Sequence, residues 1–128
     1  MITRQYLQKY GIAENGASDN NTITNNRIFG NITAGVIKLG AASIVRNNTG
    51  YVTENTGTDT IASGSTAKTV THGCSANVTR VYVFASENTT ADPGHMWADT
   101  FGSTTFIVHC ANDPGASNLD FNWVAYVR

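Results

Sequence analysis

Charge is what this 128-residue chain has least of: Asp, Glu, Lys and Arg together make up 13%, against roughly 25% in an ordinary soluble domain. Eight basic and nine acidic residues leave a formal net charge of −1, and no cluster of Lys or Arg stands out. A chain without a basic patch offers little to a phosphate backbone or an anionic bilayer, so nucleic acid and membrane are not expected as partners. No run approaches the roughly 20 apolar residues of a membrane-spanning helix, and the first residues lack the pattern of a secretory signal. Met1 stands directly before strand-like sequence, so the chain reads as a piece cut from a longer one. Good helix formers are also few, because the polar surface must be built from Asn, Thr, Ser and Gly, which rank low in helix propensity.

Hydrophobic residues are plentiful at 41%, so a packed core is within reach and wholesale disorder is not expected. Apolar residues combined with Asn, Thr and Gly suit short strands, tight corners and exposed strand faces. An all-β chain is therefore expected.

The first half repeats itself. Thr22-Ile23-Thr24-Asn25-Asn26 recurs as Ser43-Ile44-Val45-Arg46-Asn47, an offset of 21 residues, and Gly11-Ile12 echoes Gly35-Val36. A period slightly above 20, with one or two aliphatics per short strand, suggests a solenoid in which Ile23 lies on Ile44 and Asn26 on Asn47. Stacked Asn side chains hydrogen-bond along such an axis, and Asn tolerates left-handed corners. On the runs Asn21-Thr22-Ile23-Thr24-Asn25-Asn26 and Asn47-Asn48-Thr49-Gly50-Tyr51, the stretch 1–51 resembles the right-handed parallel β-helix of pectate-lyase-like proteins and phage tailspikes. The alternative is an Asn-rich loop region with accidental repetition. Two coils are fewer than the three or so a solenoid needs alone, so this part is expected to lean on a further domain or on neighbouring chains.

After Tyr51 the rhythm changes. Residues 52–57 read as a linker, and alternation of period two then predicts strands near 58–62, 67–72, 78–85, 95–100, 104–110 and 119–127. Turns are expected at Ser63-Gly64-Ser65, at Gly73, in the 87–94 loop with Asp92-Pro93-Gly94, at Gly102, and in the 111–118 loop with Asp113-Pro114-Gly115. In the last strand Leu119, Phe121, Trp123, Ala125 and Val127 share one face. Six short strands with hairpin-length connections argue for an antiparallel sandwich over residues 58–128.

The strand Val81-Tyr82-Val83-Phe84, the segment Thr104-Thr105-Phe106-Ile107-Val108 and the terminal Phe121-Asn122-Trp123-Val124-Ala125 make residues 68–128 similar to the H-type lectins of snail agglutinins and discoidins. Similar modules occur at the ends of phage tail proteins, with a turn like Thr71-His72-Gly73. The resemblance implies a homotrimer packed around a common axis. It also implies a Cys74–Cys110 pair, since both fall where the snail agglutinin has its cysteines; two buried free thiols are the alternative. The lectins' sugar contacts do not carry over: the loop Ala111–Asn118 has neither Trp nor His, and no Arg stands in 91–103.

Candidate chemistry is sparse. His95, Trp97 and Asp99 alternate onto one strand face, where an aromatic beside polar groups is a plausible sugar platform; Asp113 and Asn118 in the following loop complete the candidate carbohydrate contacts. Trp97 is equally at home in a core or subunit contact. No metal or cofactor is expected, because His109 and Cys110 are neighbours on one strand and point to opposite faces. No catalytic residues are expected either: Glu14, Asp19 and Glu54 form no recognisable pair. The sequons at Asn20, Asn31, Asn47, Asn77 and Asn88 are read as structural. The expectation is a non-enzymatic C-terminal module of a virion or cell-surface fibre: it caps an upstream β-helix and holds three chains together. The alternative is a glycan-recognition module.

Overall fold

Every element of the computed structural model, which describes residues 8–86 and 89–127, is a strand. The first seven residues of the expected coils, the Asn88 sequon, part of the expected 87–94 turn and Arg128 lie outside that range. The chain divides into two units between Thr53 and Glu54.

Parallel pairing defines the first unit. Strand β1 (Tyr10–Ala13) pairs with β3 (Ala34–Ile37), and β2 (Thr22–Thr24) with β4 (Ile44–Arg46), both in parallel. Parallel neighbours cannot be joined by a hairpin, so a longer connection runs between them. The repeat is thus present, but its step is 22 residues at β2/β4 rather than 21: Ile23 pairs with Val45, and Thr22 with Ile44. Ile44 consequently turns outward, 46% exposed. The matching features are the Asn pairs, not the isoleucines. Asn25 and Asn47 both take left-handed φ values, 59° and 54°, a conformation Asn adopts at lower cost than a β-branched residue. At β1/β3 the step is 24, with Ile12 against Val36. The loop 14–21 has eight residues and the loop 38–43 six, which accounts for the difference.

Buried Ile23, Ile28 and Val36 form the core of this unit, with Ile12, Val45 and Tyr51 packed against them. Gly35 is required there: a Cβ would stand 2.8 Å from the Tyr51 ring and 2.9 Å from Ile28. Polar groups hold the paired segments in register. Asn48, buried, accepts from the Asn26 amide (3.0 Å) and side chain (3.1 Å) and donates to the carbonyls of Ile23 (2.9 Å) and Arg46 (3.0 Å). The expected Asn stack therefore exists between Asn26 and Asn48, not Asn47.

Antiparallel pairing defines the second unit. One sheet has the order β5 (Glu54–Ile61), β10 (Leu119–Tyr126), β7 (Arg80–Ala85); the other has β6 (Ala67–Thr71), β9 (Thr105–Cys110), β8 (Met96–Asp99). The expected linker 52–57 is largely strand, since β5 begins at Glu54 and pairs with β10 along its whole length. Asn55, Gly57 and three threonines carry no apolar alternation there, which hid the strand from a hydrophobic pattern. Alternation is clear in β10, where Leu119, Phe121, Trp123 and Ala125 are buried while Asn122 is exposed. These residues share one core with Ile61, Val70, Val78, Phe106 and Val108. The Trp123 indole meets the Phe106 ring edge-on at 5.4 Å and lies against Gly57, whose Cβ would fall 2.6 Å from it.

Candidate functional site

The strand β8 carries the candidate platform on the edge of its sheet. Met96 and Ala98 pack against the core, so the period of two turns Trp97 and Asp99 to the outer face. Antiparallel register sets Trp97 directly across from His109 of β9. Three rings stack: His95 and His109 each lie 5.0 Å from the Trp97 ring, at interplanar angles of 27° and 11°. Trp97 remains 40% exposed. Such stacking orients aromatic rings while leaving their polar edges available.

Asp99 anchors the cluster. Its Oδ1 accepts from the Thr100 hydroxyl at 2.9 Å and lies 3.1 Å from His109 Nε2. The Thr100 hydroxyl, followed by the hydrogen bond and charge of His109 and a hydrogen bond from Trp97, holds the Asp99 carboxyl below its ordinary range. Thr100 itself has φ of 52°, a strained backbone for a β-branched residue. His109, set aside in the sequence as a non-ligand, is thus a member of the cluster. Only the cross-strand register reveals it, because it lies 12 positions beyond Trp97 in the chain.

Asp113 and Asn118, the other sugar-contact candidates, lie apart from this strand and each accept backbone amides through Oδ1. Asp113 Oδ1 accepts from the amides of Gly64 and Gly115, both at 3.0 Å, and Asn118 Oδ1 from the Ser63 amide at 3.0 Å. These bonds tie the 62–65 turn to the 111–118 loop. The two Asp-Pro-Gly turns also grip each other: the Ala91 amide donates to Pro114 O at 3.1 Å, and the Asn112 amide to Pro93 O at 3.0 Å.

The expected Cys74–Cys110 bridge is not formed; both are buried free thiols. The register explains why. The Cys110 amide donates to Thr66 O at one end of β9, and the His72 amide to Thr104 O at the other. Six strand residues span about 20 Å, far beyond the ~7 Å Cα limit for a bridge. Cys74 lies just past His72, whose buried ring accepts the Cys74 amide at Nδ1 (3.0 Å) and faces Gly102 O through Nε2 (3.2 Å). Cys110 donates to Asn112 O at 3.1 Å. Burial pushes both thiols up in pKa, the reverse of a reactive cysteine.

The carboxylates of the first unit are likewise committed to backbone. Glu14, buried, accepts from the amides of Leu39 (2.6 Å) and Gly40 (2.7 Å) and from Asn21 Nδ2 (2.9 Å). Led by a hydrogen bond from Ser43, then by Gly40 and Asn21, these contacts lower its pKa to about 2. Asp19 Oδ1 accepts from the Ala42 amide at 2.8 Å. Neither is poised to act as an acid or base. Compared with known proteins, the chain matches no family model, no curated protein and no solved structure.

Proposed function

We propose that this chain is an assembly module: its first unit prolongs a parallel β-helix, and its second, a β-sandwich of the H-type-lectin kind, caps that helix and holds three copies together. The observation that carries this reading is the two parallel ladders, at 22- and 24-residue steps, together with the left-handed Asn25 and Asn47 that recur at the 22-residue step. Such ladders end in bare backbone donors and acceptors, which must meet another coil, a cap or a neighbouring chain. The first unit also leaves Phe29, Ile32 and Leu39 more than half exposed, an apolar surface that suits burial in a larger assembly. A virion or cell-surface fibre, with an upstream β-helix and two further copies as partners, fits this design. Light scattering on the whole chain at micromolar concentration tests it. A particle of three times 13.7 kDa is expected, and a monodisperse monomer would refute it.

The exposed His95–Trp97–His109 stack favours a second reading, glycan recognition at a cell surface. An indole with imidazole and carboxylate groups beside it provides both an apolar plane and directional hydrogen bonds for a sugar. A glycan array separates the two readings. Selective binding that disappears in Trp97→Ala, with the fold unchanged, supports recognition; no selective binding leaves the module purely structural.

A further inference from the structure

We infer that the three copies meet through the outer face of the β5–β10–β7 sheet, with Arg80 of one copy against Glu54 of the next. This rests on the trimeric reading above and adds the surface and its register. The starting observation is exposure: Tyr82 and Phe84 project outward from the edge strand β7, 47% and 56% exposed. An edge strand with two bare aromatics is a surface that isolated domains avoid.

The face is unequal across its width. Register aligns Glu54, Tyr126 and Arg80 in one row and Thr56, Val124 and Tyr82 in the next, followed by Thr58, Asn122 and Phe84. Large aromatics therefore line the β7 side and short threonines the β5 side, with Arg at the end of one and Glu at the end of the other. Among the described residues, neither Arg80 nor Glu54 has an ion-pair partner within the chain.

A three-fold axis running along the strands keeps each row at its own height. Three sheets facing such an axis form a triangular prism, in which the β7 side of one copy adjoins the β5 side of the next. Tyr82 and Phe84 then cover Thr56 and Thr58 of the neighbour, large against small, and Arg80 comes level with Glu54. Sheets pack face to face at about 10 Å, which the layer of Val124 and Tyr126 side chains fills. A face-to-face two-fold running across the strands inverts the rows instead and carries Arg80 away from Glu54 toward the Asp120 end, where Asp120 is already held by the Thr60 hydroxyl at 2.5 Å. Charge complementarity thus selects an axis along the strands, and the trimeric reading above makes it a three-fold.

The test measures solution mass against concentration for the whole chain and three variants, with circular dichroism to show that each is folded. Phe84→Glu is expected to give a monomer at concentrations where the parent is a trimer. Arg80→Glu is expected to raise the dissociation midpoint at least tenfold at low salt, and the swapped pair Arg80→Glu/Glu54→Arg to restore it. A monomeric parent refutes the trimeric reading itself. A trimeric parent whose mass is indifferent to Phe84→Glu, or whose Arg80→Glu defect is not rescued by the swap, keeps that reading and overturns this interface. A dimeric parent whose defect is rescued by changing Asp120 overturns both.

Discussion

Gly57→Ala is the sharpest probe of the core, because its sign depends on a single neighbour. The added methyl would lie 2.6 Å from Trp123 Cζ2, 2.8 Å from Cε2 and 3.0 Å from Nε1. All three atoms belong to one rigid ring, held by the Phe106 edge at 5.4 Å and only 5% exposed. A flexible side chain would move aside; an indole in this position forces the strand or the ring out of place. Overpacking of that kind costs about 1–3 kcal/mol, against about 0.5–1 kcal/mol gained by replacing glycine within a strand. The net expectation is a loss of about 1–2 kcal/mol, and each kcal/mol corresponds to about 4–8 °C in melting temperature for a unit of 60–100 residues. Trp123→Phe replaces the fused rings by a single ring bonded to Cβ, which removes the far edge carrying Cζ2 together with the buried Nε1, which has no hydrogen-bond partner among the described residues. In that background the methyl has room, so Gly57→Ala should become neutral or stabilising by about 0.5 kcal/mol. Urea melts of the parent, both single variants and the double variant close the cycle. Equal destabilisation by Gly57→Ala in both backgrounds would refute the argument from the indole contact.

Three further outcomes follow from the polar and sulfur groups. Asn48→Ala should destabilise the first unit by about 2–3 kcal/mol, because it strands two carbonyls and the Asn26 donors; hydrogen exchange at residues 23–26 should accelerate while the second unit is unchanged. Glu14 is about 2 in the fold against an ordinary 4.5, so its contribution is complete above about pH 4.5 and is lost as pH falls toward 2; acid titration followed by circular dichroism should show this slope flattened in Glu14→Gln. Alkylation without reductant should find two thiols per chain in denaturant and slow reaction at both in the native protein; a single disulfide-linked mass shift would contradict the observed register.

Much of the second unit was legible because apolar alternation is a direct reading of burial: β10 and β9 stand out residue by residue, and Trp123 and Trp97 fall on the sides their neighbours indicate. The start of β5 was not legible, since Glu54 to Thr60 contains no aliphatic residue to alternate. In the first unit the repeat was visible but its step was not. Matching Ile23 to Ile44 weighs hydrophobic identity, whereas the register obeys backbone conformation at Asn25-Asn26 and Asn47-Asn48, and that criterion gives 22 directly. The site was half legible: His95, Trp97 and Asp99 share a strand, but His109 joins them through pairing that no local pattern encodes. The cysteine pairing failed for the same reason, because proximity to strand ends does not say which end.

The loop surplus in the first unit bears on how this chain could be altered. Two extra residues sit between β1 and β2, where Asn15 O receives both the amide (3.3 Å) and the hydroxyl (2.7 Å) of Ser18 and Gly16 takes a φ of 61°. They lengthen one corner while Glu14 and Asn21, bonded to each other at 2.9 Å, close its base. Asp19, beyond Ser18, is tied to the Ala42 amide at 2.8 Å, so the stretch between Asn15 and Ser18 lies outside both fastenings. Chain added between Asn15 and Ser18 should cost little more than loop entropy, which grows only logarithmically with length. This corner is thus the natural port for an inserted epitope, tag or binding loop, displayed from strands whose register is fixed elsewhere.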